Sequence, residues 1–559
     1  MHIKNFSKKV KLIIISSLII ITPILSVSFD NDNFEIAKNL DIYYTLFREL
    51  NLYYVDEIDP GEIIKTSIDE MLKSLDPYTI FIPESKIEDF KFMTTGQYGG
   101  VGAMIRKSGD YVVIAEPYEN SPIHKAGIEA GDIIIKIEGK STKGKSTKDI
   151  SELLKGQPNT KVKLTLKRKG VEKPFVKNIT REKIQINSVP YYGMLNDSIG
   201  YLKLNVFTEN SNKDVKKAII DLKEKLNAKA FVFDLRNNPG GLLYEAVNIC
   251  NFFVDKGQTI VTTKGKVKQW NKTYKATKQP IDTRMPVVVL VNRGSASASE
   301  IVSGTMQDLD RAVVVGQRTY GKGLVQTTRS LSYNSKLKVT TAKYYIPSGR
   351  CIQALDYSHR NEDGSVGKIP DSLITEFSTN NGRKVYDGGG ILPDIKVEPE
   401  YLSKIAISLV VKNLIFDFAT DYKLSHDSIA PATEFTFTDT DYESFKKFIS
   451  DKKFDYKTQS EKKLIELEKI AKKEKYYEQV SKEFEILHKD LAHDKNKDLI
   501  TFKEEIKELI KEEIISRYYF QKGRISSSLS EDREINEALK ILSNNKKYKE
   551  ILSGTVDEK

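Results

Sequence analysis

The chain has 559 residues, too many for one hydrophobic core, and its balance of 39% hydrophobic and 30% charged residues fits a soluble, enzyme-like protein of several domains. Its net charge of +11 comes from lysines interleaved with Asp and Glu, a pattern of solvated surface that speaks against nucleic-acid binding and allows mild attraction to an anionic membrane. Two cysteines exclude a disulfide framework and a cysteine-rich zinc site, and six histidines without HxH or HxxxH spacing point to no metal.

Lys4, Lys8, Lys9 and Lys11 precede an apolar run from Leu12 to Phe29 that is interrupted by Pro23. With the small residues Ser26 and Ser28, residues 1–29 read as a signal peptide or as a retained signal anchor. No cysteine ends the run, which excludes a lipoprotein anchor. Both readings put the remainder outside the cytoplasm, periplasmic or held at the membrane facing outward.

Residues 30–96 are expected to be helical, from FEIAKNLDIYYTLFRELNLYYV and GEIIKTSIDEMLKSL, until DPYTIFIP breaks the pattern. This region suggests no chemistry and is read as a cap or a dimerisation element of a homo-oligomer.

Residues 97–180 turn to short β-runs and glycine turns. In SPIHKAGIEAGDIIIKIEG, Gly127 and Gly131 supply turn geometry, and Ile133, Ile135 and Ile137 alternate as on a half-buried strand. This segment resembles the bacterial type of PDZ domain. The resemblance makes Gly100, Val101, Gly102 and Ala103 the loop that holds a peptide's terminal carboxylate. Glycines let successive N–H groups converge on an anion, and an open strand edge beside them can pair with the peptide.

Residues 181–398 alternate strands and helices. Paired strands in REKIQINSVPYYGMLNDSIGYLKLNVFT, the helix KDVKKAIIDLKEKLN, the buried strand AFVFDLR and the run PVVVLVN give an α/β core with a parallel or mixed sheet. Ligand-binding turns in such sheets lie past the carboxyl ends of the strands, where NNPGG and RGSAS fall. Ser297 sits between strand and helix, and Lys322 follows it between two glycines. A serine and a lysine can serve as nucleophile and base without a histidine. On spacing alone, Ser297 with Glu300 is also a capping box, and Ser295 and Ser299 are rival hydroxyls.

GSASASEI followed by TYGKGLVQ resembles the signature of the carboxyl-terminal processing (tail-specific) serine peptidases. DLRNNPGG, KYYIPSGRCIQ, DGGGILPDI and SLDPYT match further patterns of that family across residues 40–398. The resemblance implies Ser297 as nucleophile, Lys322 as general base and Gln326 as the residue that orients the lysine. A lysine works as a base only when neutral, so burial has to lower its ordinary pKa of about 10.4. On a strand, Lys322 and Gln326 share one face. The Ala298 N–H at the helix start is one oxyanion donor, and the second comes from Gly240 or Gly241. Arg181 lies at the join of the two domains, where a charge could report peptide binding; the simpler reading is a surface or interdomain salt-bridge residue.

Residues 399–559 become helical and rich in Lys and Glu at i, i+4 spacing and are read as an appendage for oligomerisation or docking. The whole implies an exported serine endopeptidase that captures apolar protein C-termini through its PDZ domain and cleaves them, with no metal or cofactor. The rival reading is an inactive scaffold that only binds tails.

Overall fold

The computed structural model describes residues 31–555; the expected signal segment, residues 1–29, lies outside them. Among the described residues no helix is long and apolar enough to cross a membrane. The chain divides into two units at Phe81/Ile82. The first carries two helices, α1 (Asn31–Tyr53) and α2 (Pro60–Lys73). The Asp59 carboxylate caps α2 by accepting the Gly61 and Glu62 N–H groups. Apolar residues of α1 such as Phe34, Leu40 and Leu46 are exposed.

The second unit opens with α3 (Ile87–Thr95) and β1 (Gln97–Gly100). The PDZ-like part follows, in the order β2 (Ala103–Ser108), β3 (Tyr111–Pro117), the short α4 (Pro122–Lys125), β4 (Ile133–Ile137), α5 (Thr147–Leu154), β5 (Lys161–Lys167) and β6 (Phe175–Thr180). Its strands form an antiparallel sheet ordered β2-β3-β4-β5-β6, with β2 at an edge and α5 packed beside it. Within β4 the side chains in the domain core are Ile134 and Ile137, not the expected set of Ile133, Ile135 and Ile137. The cause is a register shift between Ile134 and Lys136 against β5, which inserts one residue and breaks the period of two.

A short β7 (Glu182–Gln185) pairs with β1. The peptidase part then runs β8 (Tyr191–Met194), β9 (Ile199–Lys203), α6 (Ser211–Ile220), β10 (Ala230–Asp234), α7 (Leu243–Cys250), β11 (Thr259–Gly265), β12 (Lys272–Lys275), β13 (Val287–Val291), α8 (Ala298–Asp308), β14 (Val313–Gly316), β15 (Leu324–Ser330), β16 (Lys336–Tyr345) and β17 (Ile395–Lys396). Its main sheet is ordered β8-β9-β10-β13-β14-β17, parallel except for the β8–β9 pair. An antiparallel layer, β15-β16-β11-β12, lies apart from it.

Both faces of the main sheet are covered, as a parallel sheet requires. Val287, Val289 and Val291 of β13 pack with α6, α7 and α8, where Ile219, Ile249 and Ile301 are buried. Val288 and Leu290 face the other way, onto Ile535, Ile541, Tyr548 and Ile551. Those four residues belong to the C-terminal tract, which contains α9 (Lys404–Val411), α10 (Leu414–Ser425), α11 (Asp439–Ile449), α12 (Lys503–Ser528), α13 (Arg533–Leu542) and α14 (Asn545–Ser553). The expectation of a separate appendage therefore needs correction. Helices α9–α12 form their own core, but α13 and α14 are a layer of the peptidase. Tyr548 marks the join, where the β13 backbone N–H of Val287 donates to its hydroxyl at 3.1 Å.

Cys250 is buried, Cys351 is half-buried, and both are free thiols. Arg181 also differs from expectation. Its guanidinium donates to the carbonyls of Leu153, Leu154 and Lys161 and to the Thr160 hydroxyl, and so closes the C-terminus of α5 rather than forming an ion pair.

Candidate active site

Ser297 lies in the turn between β13 and α8 with φ 56° and ψ −111°. An ordinary N-cap is extended, so this strained geometry sets Ser297 apart from a simple cap. The two rival hydroxyls are fully buried and committed. Ser295 Oγ donates to Leu235 O and Ser299 Oγ donates to Asn238 O, each at 2.9 Å. Ser297 is only half-buried and lines a cavity of about 510 Å³.

Lys322, Gln326, Ala298, Gly240 and Gly241 line the same cavity. The structure thus brings together the residues singled out in the peptidase part. Lys322 is not on a strand, however. β15 begins at Leu324, so Lys322 belongs to the preceding Gly321–Gly323 turn, and strand alternation does not place it beside Gln326. Gln326 follows a register shift against β16, and its Nε2 donates to Thr340 Oγ1 at 3.1 Å.

Two side chains hold the serine and lysine turns together. Glu300, fully buried in the first turn of α8, accepts the N–H of Ser297 at 2.7 Å, of Gly321 at 2.7 Å and of Lys322 at 2.9 Å. The Thr319 hydroxyl donates to it at 2.6 Å. Burial nevertheless raises the Glu300 pKa above its ordinary value, because these bonds only partly offset the loss of water. On the opposite side, the Tyr344 hydroxyl lies 2.6 Å from Lys322 O and 3.2 Å from Ser297 O. The capping-box reading of Glu300 is met by its bond from Ser297 N–H, but its bonds from Gly321 and Lys322, and the role of Tyr344, were not read from the sequence, although both residues stand inside quoted motifs.

The glycine turn is fixed with equal care. Asn238, fully buried, donates from Nδ2 to Leu204 O, and its Oδ1 accepts the Gly240 N–H at 2.9 Å. Gly240 O accepts the Phe207 N–H, and Phe207 O accepts the Leu242 N–H. These bonds flank Gly241, whose φ of 145° and closeness to Phe207 O leave no room for a side chain; a Cβ there would lie 2.2 Å from that oxygen.

Behind this turn stands a buried charge cluster. Asp234 accepts from the Tyr201 hydroxyl at 2.7 Å and from Arg236 Nη2 at 2.8 Å. Burial opposes its charge, but Arg236 and Lys203 outweigh burial and hold its pKa well below the usual carboxylate range. Arg236 Nη1 reaches Asp532 and Glu534 at the start of α13, which ties the C-terminal layer to the strand end that leads into the glycine turn.

The cavity walls include Phe92, Met93, Ile186, Val206, Leu243 and Ile301, so the lining is largely apolar around a few polar groups. Among the described residues no group of three or more His, Cys, Asp or Glu side chains is arranged to hold a metal ion. In the PDZ-like part, Val101 and Gly102 lie at the start of the β2 edge, and their N–H groups donate to no backbone acceptor among the described residues. Gly100 and Ala103 flank them at the ends of β1 and β2.

Comparison with known proteins accords with this geometry. Residues 198–359 match the model of peptidase family S41, residues 113–168 that of the PDZ domain, and residues 405–542 that described as "Probable PDZ-protease, C-terminal helical domain". A carboxy-terminal-processing protease of Bartonella bacilliformis is 36% identical over 343 residues, which span 61% of this chain and 78% of the relative. A "Probable CtpA-like serine protease" of Staphylococcus haemolyticus is 34% identical over 437 residues, 78% of this chain and 82% of the relative. A solved photosystem II D1 C-terminal processing protease is 30% identical, covers 64% of this chain and 88% of its own, and superposes with a TM-score of 0.35. With its glycine turn, serine turn and PDZ domain in one chain, this protein belongs to the S41 family of carboxy-terminal-processing serine peptidases.

Proposed function

We propose that this peptidase is exported, binds the C-terminal tails of proteins through its PDZ domain and cleaves them with Ser297 and Lys322. The observation that carries the reading is the clamp of Glu300 and Tyr344, which holds the backbones of Ser297 and Lys322 together at one cavity.

In the proposed reaction Lys322 Nζ takes the Ser297 hydroxyl proton as Oγ attacks the scissile carbonyl carbon. The oxyanion accepts hydrogen bonds from the N–H groups of Ala298 and Gly241. Gly241 is preferred to Gly240 because the Gly240 N–H is already given to Asn238. The C–N bond then breaks, Lys322 returns the proton to the leaving amine, and an ester remains on Ser297. Water attacks that ester while Lys322 takes its proton, the acyl C–O bond to Ser297 breaks, and Lys322 gives the proton to Oγ, which restores the hydroxyl. Gln326, anchored through Nε2 on Thr340, offers its carbonyl oxygen to the lysine amine and orients it.

Export is supported by the lysines before the apolar run of residues 12–29, and tail capture by the N–H groups of Val101 and Gly102, which donate to no backbone acceptor among the described residues. The test compares wild type, Ser297→Ala and Lys322→Ala on a folded substrate with an apolar C-terminus. Cleavage by wild type alone is expected, and equal cleavage by all three would refute the dyad. The same substrate ending in a carboxamide should be cut poorly, since the loop would lose its carboxylate.

A further inference from the structure

β2 is the open edge of the PDZ sheet, and its last outward carbonyl is already taken. Asn413 Nδ2 donates to Lys107 O at 3.0 Å. That carbonyl is directed off the sheet, away from β3, because its partner lies in the α9–α10 junction. Outward groups recur every second residue on an antiparallel edge, so the N–H and C=O of Ile105 share this side with Lys107. A tail whose carboxylate sits at Val101 and Gly102 and which runs antiparallel to β2 meets Ala103 first, then Ile105 and then Lys107.

The junction that brings Asn413 there is firmly seated. Phe416, three residues on, is in contact with the Arg106 and Arg517 guanidinium groups, 4.8 Å and 4.4 Å from its ring centre. Lys169 Nζ donates to Asp421 at 2.6 Å, and Arg524 pairs with Glu116 at 3.1 Å. Arg106 belongs to β2 itself, so the helical domain grips the strand from behind while Asn413 reaches round to its edge. Asn413 has a φ of 60°, which a small polar residue tolerates at a tight junction between two helices.

We propose that Asn413 is a stop that fixes how many residues of a tail add to the β2 edge. The inference rests on the tail-capture reading above. Each outward residue of an antiparallel edge serves two residues of its partner, so Ala103 and Ile105 hold about the last four residues of the tail. The next residue finds Lys107 O occupied and leaves the sheet. The helical domain thereby becomes part of the recognition site and sets where the bound chain departs towards the rest of the enzyme.

The test uses the full chain carrying Ser297→Ala, so that ligands survive, and fluorescent peptides of four, six and eight residues with one shared apolar C-terminus. With Asn413 present, affinity should be level from four residues upward. Asn413→Gly keeps the positive φ and removes the amide. With that change, the six-residue peptide should bind about five-fold tighter than the four-residue one, the worth of one net hydrogen bond. Identical length profiles in the two proteins, or continued gains with Asn413 in place, would overturn the stop while leaving tail capture standing. Failure of every free-carboxylate peptide to bind either protein, or equal binding of the carboxamide forms, would overturn tail capture and the stop together.

Discussion

A single oxygen, Glu300 Oε2, accepts the N–H of Ser297 at 2.7 Å and the N–H of Lys322 at 2.9 Å. The two residues proposed to do the chemistry are therefore held by one buried atom of a third residue. A carboxylate can accept from several N–H groups at once, and a neutral amide cannot do so with both its heteroatoms.

Glu300→Gln should lower kcat by about a hundred-fold with little change in KM, because a shift of the two turns of the order of 1 Å spoils attack but not tail binding. Steady-state kinetics on a tailed substrate would decide this. An unchanged kcat would show that the turns hold their positions without the carboxylate.

Tyr344→Phe removes the hydroxyl from the other side of the clamp and leaves the ring packed. A loss of about ten-fold in kcat is expected, the scale of one to two hydrogen bonds. The double variant with Glu300→Gln should lose less than the product of the single losses, since both act on the same two turns. Strict multiplication of the effects would separate their roles.

Gly241→Ala places a methyl group 2.2 Å from Phe207 O in a backbone conformation that alanine rarely adopts. Cleavage should be abolished while the PDZ domain still binds a C-terminal peptide, as fluorescence anisotropy would report. Retained cleavage would remove Gly241 from the oxyanion site.

How much of this was legible beforehand depended on the kind of contact. Ser297, Lys322 and Gln326 stand in local motifs and line one cavity, although the strand alternation expected to join Lys322 to Gln326 does not hold. Glu300 looked like a cap because its link to Ser297 is local, whereas its links to Gly321 and Lys322 depend on tertiary approach. Tyr344 acts through a hydroxyl on backbone carbonyls, and no residue pattern encodes that. The Ile135 misreading has another cause: a bulge breaks the period of two that alternation assumes. Helix α13 is amphipathic by eye, but nothing in it names the β13 face as its partner.

That partnership is open to measurement. Ile541→Ala should destabilise the protein by about 2–5 kcal/mol, because Ile541 is fully buried on the β13 side of the sheet. Thermal unfolding of the purified chain would read it. An unchanged transition would return α13 to the status of an appendage.

Stability should also respond to pH through Glu512 on α12. Burial, followed by the charge of Glu508, pushes its carboxyl from 4.5 up to about 7 against the pull of Arg524 and Lys511. The folded chain holds this proton more tightly than the unfolded one. Its contribution therefore favours folding below pH 4.5 and is lost as pH rises through 7. Glu512→Gln should raise stability at pH 8 by about 2–3 kcal/mol and flatten the slope between pH 5 and 8. Unfolding curves at several pH values that stay parallel for wild type and variant would contradict this.

The place of Tyr548 against Val287 has a consequence for how such an enzyme comes into being. The β13 strand precedes the serine turn, yet the layer that shields one of its faces is translated more than two hundred residues later. A growing polypeptide bearing Ser297 and Lys322 thus has an open sheet until α14 has emerged from the ribosome. Residues 181–398 by themselves therefore leave one face of the catalytic sheet uncovered, and its core closes only when α13 and α14 have docked.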